Sequence, residues 1–225
     1  MKRWKPYFKW LAAAILIFAV YKLQAGYTSE IRASESGAAD IADAPVYKVV
    51  IDPGHGGKDR GAAGASGKDE KDFTLQLSQK VKELAQQEPR IEVYMTRTDD
   101  RFLSSIDRAR PEFANQMDAD LFISIHGNTY TDPDVSGTET YYYRKESLNL
   151  AKLMHKHVAG ATGFRDRGVK KEDFFVVKDT KMPAVLLEVG YVTNPQDEAQ
   201  MFTDDFQYRI AASILDGMKE YLKIN

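Results

Sequence analysis

From residue 45 onward, short apolar runs rich in β-branched residues alternate with stretches in which apolar residues recur every three or four positions. This is the pattern of an α/β domain, in which strands and helices take turns along the chain. The apolar runs predict strands over 46–51, 91–96, 121–126, 138–143, 174–177 and 184–189. Behind Asp72, the residues Phe73, Leu77, Val81 and Leu84 fall on one helical face, and 105–117 makes a second, more mixed helical stretch. A third helix starts at Ser147, and Phe206, Ile210, Ile214, Met218 and Tyr221 trace one stripe behind Thr203, Asp204 and Asp205. No internal repeat interrupts the chain after residue 45. The expectation for 45–225 is therefore a single three-layer α/β domain, with a roughly six-stranded mixed sheet flanked by helices.

The first 44 residues follow a different pattern. Lys2, Arg3, Lys5 and Lys9 precede 12 unbroken apolar residues from Trp10 to Tyr21, closed by Lys22. A run of this length falls short of the ~20 residues that a spanning helix prefers, so 1–23 reads as a signal peptide or an uncleaved signal anchor. In either case the positive flank stays in the cytoplasm and the remainder is exported, either tethered to the membrane or secreted. Residues 24–44 are mostly Ala, Ser, Gly, Asp and Glu, too poor in apolar side chains to fold alone. They read as a flexible tether with a mean reach on the order of 25 Å.

Composition narrows the partners. The 225 residues are 43% hydrophobic and 28% charged, which is ordinary globular usage. The net charge is −2, but the first 25 residues hold five cations and no acid, so the remaining 200 carry −7. An acidic body argues against nucleic acid as a partner, because neutralising phosphates requires a basic face. The absence of cysteine excludes disulfides, thiol catalysis and cysteine-bound zinc.

Two of the four histidines stand where predicted strands end, which is where open α/β sheets place their ligands. His55 lies in Asp52-Pro53-Gly54-His55-Gly56-Gly57 and His126 in Ser124-Ile125-His126-Gly127-Asn128. The glycine-rich turn also resembles a phosphate cradle, but it lacks the Gly-Lys-Ser/Thr ending and the Gly-x-Gly-x-x-Gly spacing. A neutral imidazole fixed at a strand end suits zinc, and a catalytic zinc takes three protein ligands with one position open. His155 and His157 lie two apart on a predicted helix, project to different faces and cannot share one ion; both are expected to be partly solvated. The better third donor is Glu70, at the mouth of the helix after the first histidine loop, with Asp69 and Asp72 competing on spacing. Glu188 ends an otherwise apolar strand before Gly190, and is the candidate general base and acid. Glu139, Tyr141 and Tyr143 alternate onto one strand face, which either lines a cleft or stands half-exposed.

Taken together, Asp52-Pro53-Gly54-His55-Gly56-Gly57, Glu70-Lys71-Asp72, Ser124-Ile125-His126-Gly127-Asn128, Gly137-Thr138-Glu139-Thr140 and Leu187-Glu188-Val189-Gly190 closely resemble the zinc-dependent N-acetylmuramoyl-L-alanine amidases of bacterial cell walls. The resemblance runs from about Val46 to Tyr221. It implies an α/β sandwich around a six-stranded sheet, and a Zn2+ ion held by His55, Glu70 and His126, with Glu188 as the catalytic carboxylate. It also implies a substrate, peptidoglycan, cut at the amide between the lactyl group of N-acetylmuramic acid and L-alanine of the stem peptide. The matching Glu-Lys-Asp motif selects Glu70 over Asp69 and Asp72. The competing readings are a zinc peptidase acting within the stem peptide and an inactive wall-binding relative.

Overall fold

The computed structural model describes residues 45–224 together with Lys22; the rest of the expected signal segment and the whole tether lie outside the described residues. Among the described residues no helix is long and apolar enough to cross a membrane. The elements follow in the order β1 (Tyr47–Pro53), α1 (Glu70–Ala85), β2 (Ile91–Met95), α2 (Ala109–Gln116), β3 (Leu121–Asn128) and β4 (Thr138–Tyr142). A 3-10 turn at Lys145–Ser147 then leads into α3 (Leu148–Thr162), followed by β5 (Asp166–Lys171), α4 (Phe175–Lys178), β6 (Ala184–Tyr191), α5 (Pro195–Met201) and α6 (Asp204–Leu222). The six strands form one sheet in the order β2-β1-β3-β6-β4-β5. The first four run parallel, β4 is antiparallel to β6, and β5 is parallel to β4, so the sheet is mixed as expected.

Successive strand residues point to opposite faces, and here that alternation divides the molecule. On one face, Val49 and Ile51, Ile123 and Ile125, and Val185, Leu187 and Val189 are fully buried beneath three long helices. Those helices contribute Phe73, Leu77 and Val81 from α1, Leu150, Met154 and Val158 from α3, and Ile210, Ile214 and Met218 from α6. Thr203 caps α6, its side chain accepting from the Phe206 N–H as its place ahead of the apolar stripe implies. The opposite face buries Val50, Phe122, Ala184 and Leu186 under two short helices, through Ala114 of α2 and Val176 and Val177 of α4. Farther along the same strands, this second face turns polar, with Asp52, Ser124, His126 and Glu188.

Three expectations are corrected. Residues 174–177 do not form a strand: Val176 and Val177 bury in the smaller core as part of the one-turn helix α4, and tertiary packing overrides the β propensity of Phe-Phe-Val-Val. The missing strand is β5, Asp-Arg-Gly-Val-Lys-Lys, a sheet edge with a single apolar residue and therefore no alternation to read. Its charged side chains are those that protect an edge from pairing with another chain. The mixed helical stretch shrinks to Ala109–Gln116, because Arg108 takes a left-handed φ of 54° and the helix starts only after it. The short helix α5, capped by Asn194 with Pro195 in its first turn, was not among the predicted elements.

Candidate metal centre

The site forms at the carboxyl ends of β1 and β3, on the face covered by the short helices. His55 leaves β1 in a turn whose backbone places it at φ 61°, a conformation that a residue bearing a Cβ adopts only when its surroundings impose it. Two buried arginines do so. Arg110 donates to Asp52 Oδ1 at 2.6 Å, to the Pro53 carbonyl at 2.7 Å and to the His55 carbonyl at 2.5 Å. Arg97 donates to the Pro53 carbonyl at 3.1 Å and the Gly54 carbonyl at 2.7 Å. Asp52 is fully buried and also accepts from Thr96 Oγ1 at 2.5 Å and Ser124 Oγ at 2.7 Å. Burial pushes its carboxyl up, but the Arg110 charge and these hydrogen bonds outweigh that and hold it below its ordinary value.

Glycine is required at two points beside this turn. A Cβ on Gly54 would stand 2.3 Å from the His126 ring, and one on Gly61 would stand 2.6 Å from Glu70 Oε2 at a φ of 69°. The rings of His55 and His126 meet edge to face, 4.8 Å between centroids. The pairing of β3 with β6 is irregular between His126 and Asn128, and there the Gly127 N–H turns away to donate to Glu70 Oε1 at 3.0 Å.

Glu70 is the first residue of α1 and is buried, where the helix N-terminus favours its negative charge. Its Oε2 accepts from the Ala62 N–H at 2.8 Å and lies 3.1 Å from His55 Nε2; its Oε1 lies 3.0 Å from His126 Nδ1. Burial pushes Glu70 up, yet the two imidazoles outweigh it and hold the carboxyl well below the usual range. The far nitrogen of His55, Nδ1, pairs with Asp59 Oδ1 at 2.9 Å, so Nε2 is the nitrogen turned toward Glu70. Donor atoms of His55, Glu70 and His126 all lie within 4.8 Å of one another.

Among the neighbours considered from sequence, Asp69 pairs instead with Arg60 at 2.6 Å and Asp72 is exposed. Glu188 lines the same cavity as the three donors, a space of about 440 Å3. It is half-buried, but its Oε2 is shut off from solvent and has no hydrogen-bond partner among the described residues. Burial first, then the negative charges of Glu70 and Glu139, push its carboxyl well above the ordinary value. A cation held by the three donors would offset the negative charge crowded around Glu188. Two imidazoles and one carboxylate, without thiolate, form a donor set that zinc takes in catalytic sites.

The other histidines lie elsewhere. His155 is not solvated as expected: it is buried, with Nδ1 3.1 Å from Thr140 Oγ1 and Nε2 2.8 Å from Asp166 Oδ1. The apolar periodicity of α3 carries it under β4 and β5. His157 is half-buried and pairs with Glu220 at 2.6 Å. Sequence reasoning missed Arg97 and Arg110 altogether. Their signal was indirect: Asp52, a carboxylate in the apolar run of β1, needs a buried cation to accompany it.

A family model described as N-acetylmuramoyl-L-alanine amidase matches residues 49–220. The catalytic domain of CwlV, an N-acetylmuramoyl-L-alanine amidase from Bacillus (Paenibacillus) polymyxa var. colistinus, is 46% identical with a TM-score of 0.78, and the match covers 80% of this chain and 100% of that one. YqiI of Bacillus subtilis (strain 168), an uncharacterized protein, is 40% identical over 177 residues, covering 77% of this chain and 84% of YqiI. The probable cell wall amidase LytH of Staphylococcus epidermidis (strain ATCC 12228 / FDA PCI 1200) is 32% identical over 175 residues; the match spans 57% of LytH and 77% of this chain.

Proposed function

The chain belongs to the N-acetylmuramoyl-L-alanine amidase family, and from that premise we propose that His55, Glu70 and His126 hold a zinc ion beside which Glu188 carries out the proton transfers of the reaction. The protein is a peptidoglycan hydrolase, and the bond it cuts is the amide between the lactyl group of N-acetylmuramic acid and L-alanine of the stem peptide. The observation that carries the residue assignment is the meeting of the three donor side chains within 4.8 Å, with Glu188 lining the same cavity. When bound, zinc supplies a Lewis acid for the amide carbonyl and brings the pKa of a coordinated water towards ~7.

The chain's own groups do the rest. Asp59 accepts from His55 Nδ1 and so presents the Nε2 lone pair. Glu70 is a poor base, because both of its oxygens already accept backbone N–H bonds. Glu188 lines the cavity and carries an oxygen with no hydrogen-bond partner, so its carboxylate takes a proton from the attacking water and returns it to the departing alanine nitrogen. It does so from a central strand, where its position is rigid. Leu103, Phe174 and Phe175 line the same cavity and give the cleft an apolar wall that limits bulk water.

The basic flank, the 12-residue apolar run and the tether support export, with the enzyme acting outside the cytoplasm as a secreted or membrane-anchored form. Terminal sequencing of the mature protein distinguishes the two. Mass spectrometry of wall fragments digested with and without a chelator tests the reaction. The expected product is an intact stem peptide with a free L-alanine amine, released only without the chelator. Shortened stems would indicate a peptidase, and no release an inactive binder.

A further inference from the structure

The face that holds Glu188 continues past it, across β4 to the sheet edge. Glu139 on β4 stands directly opposite Glu188 on β6, and it is buried. Its Oε1 accepts from Arg167 Nε at 2.7 Å, Lys170 Nζ at 2.9 Å and the Tyr191 hydroxyl at 2.8 Å, and its Oε2 accepts from the Tyr141 hydroxyl. One carboxylate thus faces two cations from β5, and one positive charge is left over. Lys170 remains 42% exposed, with ammonium protons to spare. The Tyr141 ring meets Phe174 edge to face at 5.2 Å, and Phe174 lines the catalytic cavity, so this surface is continuous with the cleft. Beyond it, Lys171 and Lys178 both lie over the Tyr143 ring, at 5.5 and 5.4 Å, Asp173 offsetting Lys178 at 3.5 Å. A local cationic floor of aromatic rings is unexpected in a body that carries −7 outside its first 25 residues.

We infer that this β4–β5 platform binds the part of the substrate that bears free carboxylates, a stem-peptide segment laid over Tyr141 with a carboxylate taken by Lys170 and Arg167. The inference rests on the amidase reading and names which side of the substrate this face takes. Neighbouring strands lie about 4.8 Å apart, which puts β5 roughly 10 Å from β6. An extended peptide covers that distance in about three residues. Glu139 is then a positioning residue, which fixes two cations at a set distance from the scissile amide without touching it.

The test uses the full chain carrying Glu188→Gln, so that ligand is bound and not consumed, and calorimetry of two ligands. One is an N-acetylmuramoyl stem peptide with free carboxylates; the other is the same compound with those carboxylates amidated. The amidated ligand is expected to bind more weakly to the parent. Lys170→Gln should weaken the free-carboxylate ligand about fivefold and Arg167→Gln further, as befits partly exposed charge pairs, leaving the amidated ligand unmoved. Lys170→Arg should restore most of the loss. Equal weakening of both ligands would assign these residues a purely structural role, and no weakening of either would remove the platform; each overturns the inference. The amidase reading is checked apart from this, with Glu188 intact: absence of alanine-amine release there, with the ligand discrimination preserved, would sink the reaction and leave the platform.

Discussion

The two faces of the sheet share the same strands and do opposite work. Along β3, Ile123 and Ile125 enter a core closed by α1, α3 and α6, while Ser124 and His126, alternating with them, face the side that only α2 and α4 cover. The first face is closed along the strands by apolar contact. The second is apolar only at the start of the strands, through Val50, Phe122 and Leu186, and then carries Asp52, His126 and Glu188. Long helices would have sealed this end, and two short ones leave room for the cleft. What the difference teaches is that stability and chemistry are divided by the pleat: neighbouring residues on one strand serve one or the other.

The sharpest way to break that division is at Glu188. Glu188→Gln should lower the rate of alanine-amine release by about 10^2- to 10^4-fold while bound zinc, read by atomic absorption, and melting temperature stay near the parent's. His126→Ala should lose metal and turnover together. On the opposite face, Ile214→Ala should cost about 2–5 kcal/mol in denaturant unfolding, with the activity of each folded molecule unchanged. Loss of activity beyond the unfolded fraction would mean the faces are coupled.

A smaller effect separates them by pH. Burial raises the Glu139 carboxyl, but Tyr141, Lys170, Tyr191 and Arg167 lower it further, to about 2 from an ordinary 4.5. A carboxylate depressed in the folded state stabilises above its unfolded pKa and loses that contribution as pH falls. Unfolding free energy should therefore drop between pH 4.5 and about 2, and Glu139→Gln should flatten that drop. The smallest change is expected on the outer surface of the helical layer. Lys156→Ala, which breaks an exposed pair with Glu220 at 3.0 Å, should shift stability by no more than about 1 kcal/mol.

Much of the fold was legible because burial leaves a period. The runs that became β1, β2, β3 and β6 are apolar enough to declare themselves, β4 shows in its Thr and Tyr content, and the stripe of α6 starts behind its Thr203 cap. β5 was illegible because an edge strand pairs its backbone with β4 on one side only, and its Asp166, Arg167 and Lys170 are held by ion pairs that leave no apolar period to read. Phe174 to Val177 misled because strand and buried helical turn demand the same residues, and only the neighbouring core decides between them. In the site, His55, Glu70, His126 and Glu188 were each weak alone, and gathered force as an ordered set of motifs. Arg97 and Arg110 had no such help: nothing in a Thr-Arg-Thr or an Ala-Arg-Pro string tells a guanidinium that will be buried from one that will reach water.

The clamp that these two arginines place on the His55 turn also sets a timetable. The turn is closed by side chains 42 and 55 positions downstream of it, its ring partner is residue 126, and the carboxylate proposed to move the proton is residue 188. A chain still leaving the ribosome therefore holds only fragments of its centre until nearly all of it has been made. A chain that ends before β6 would lack Glu188 and could not assemble the four side chains in one cavity.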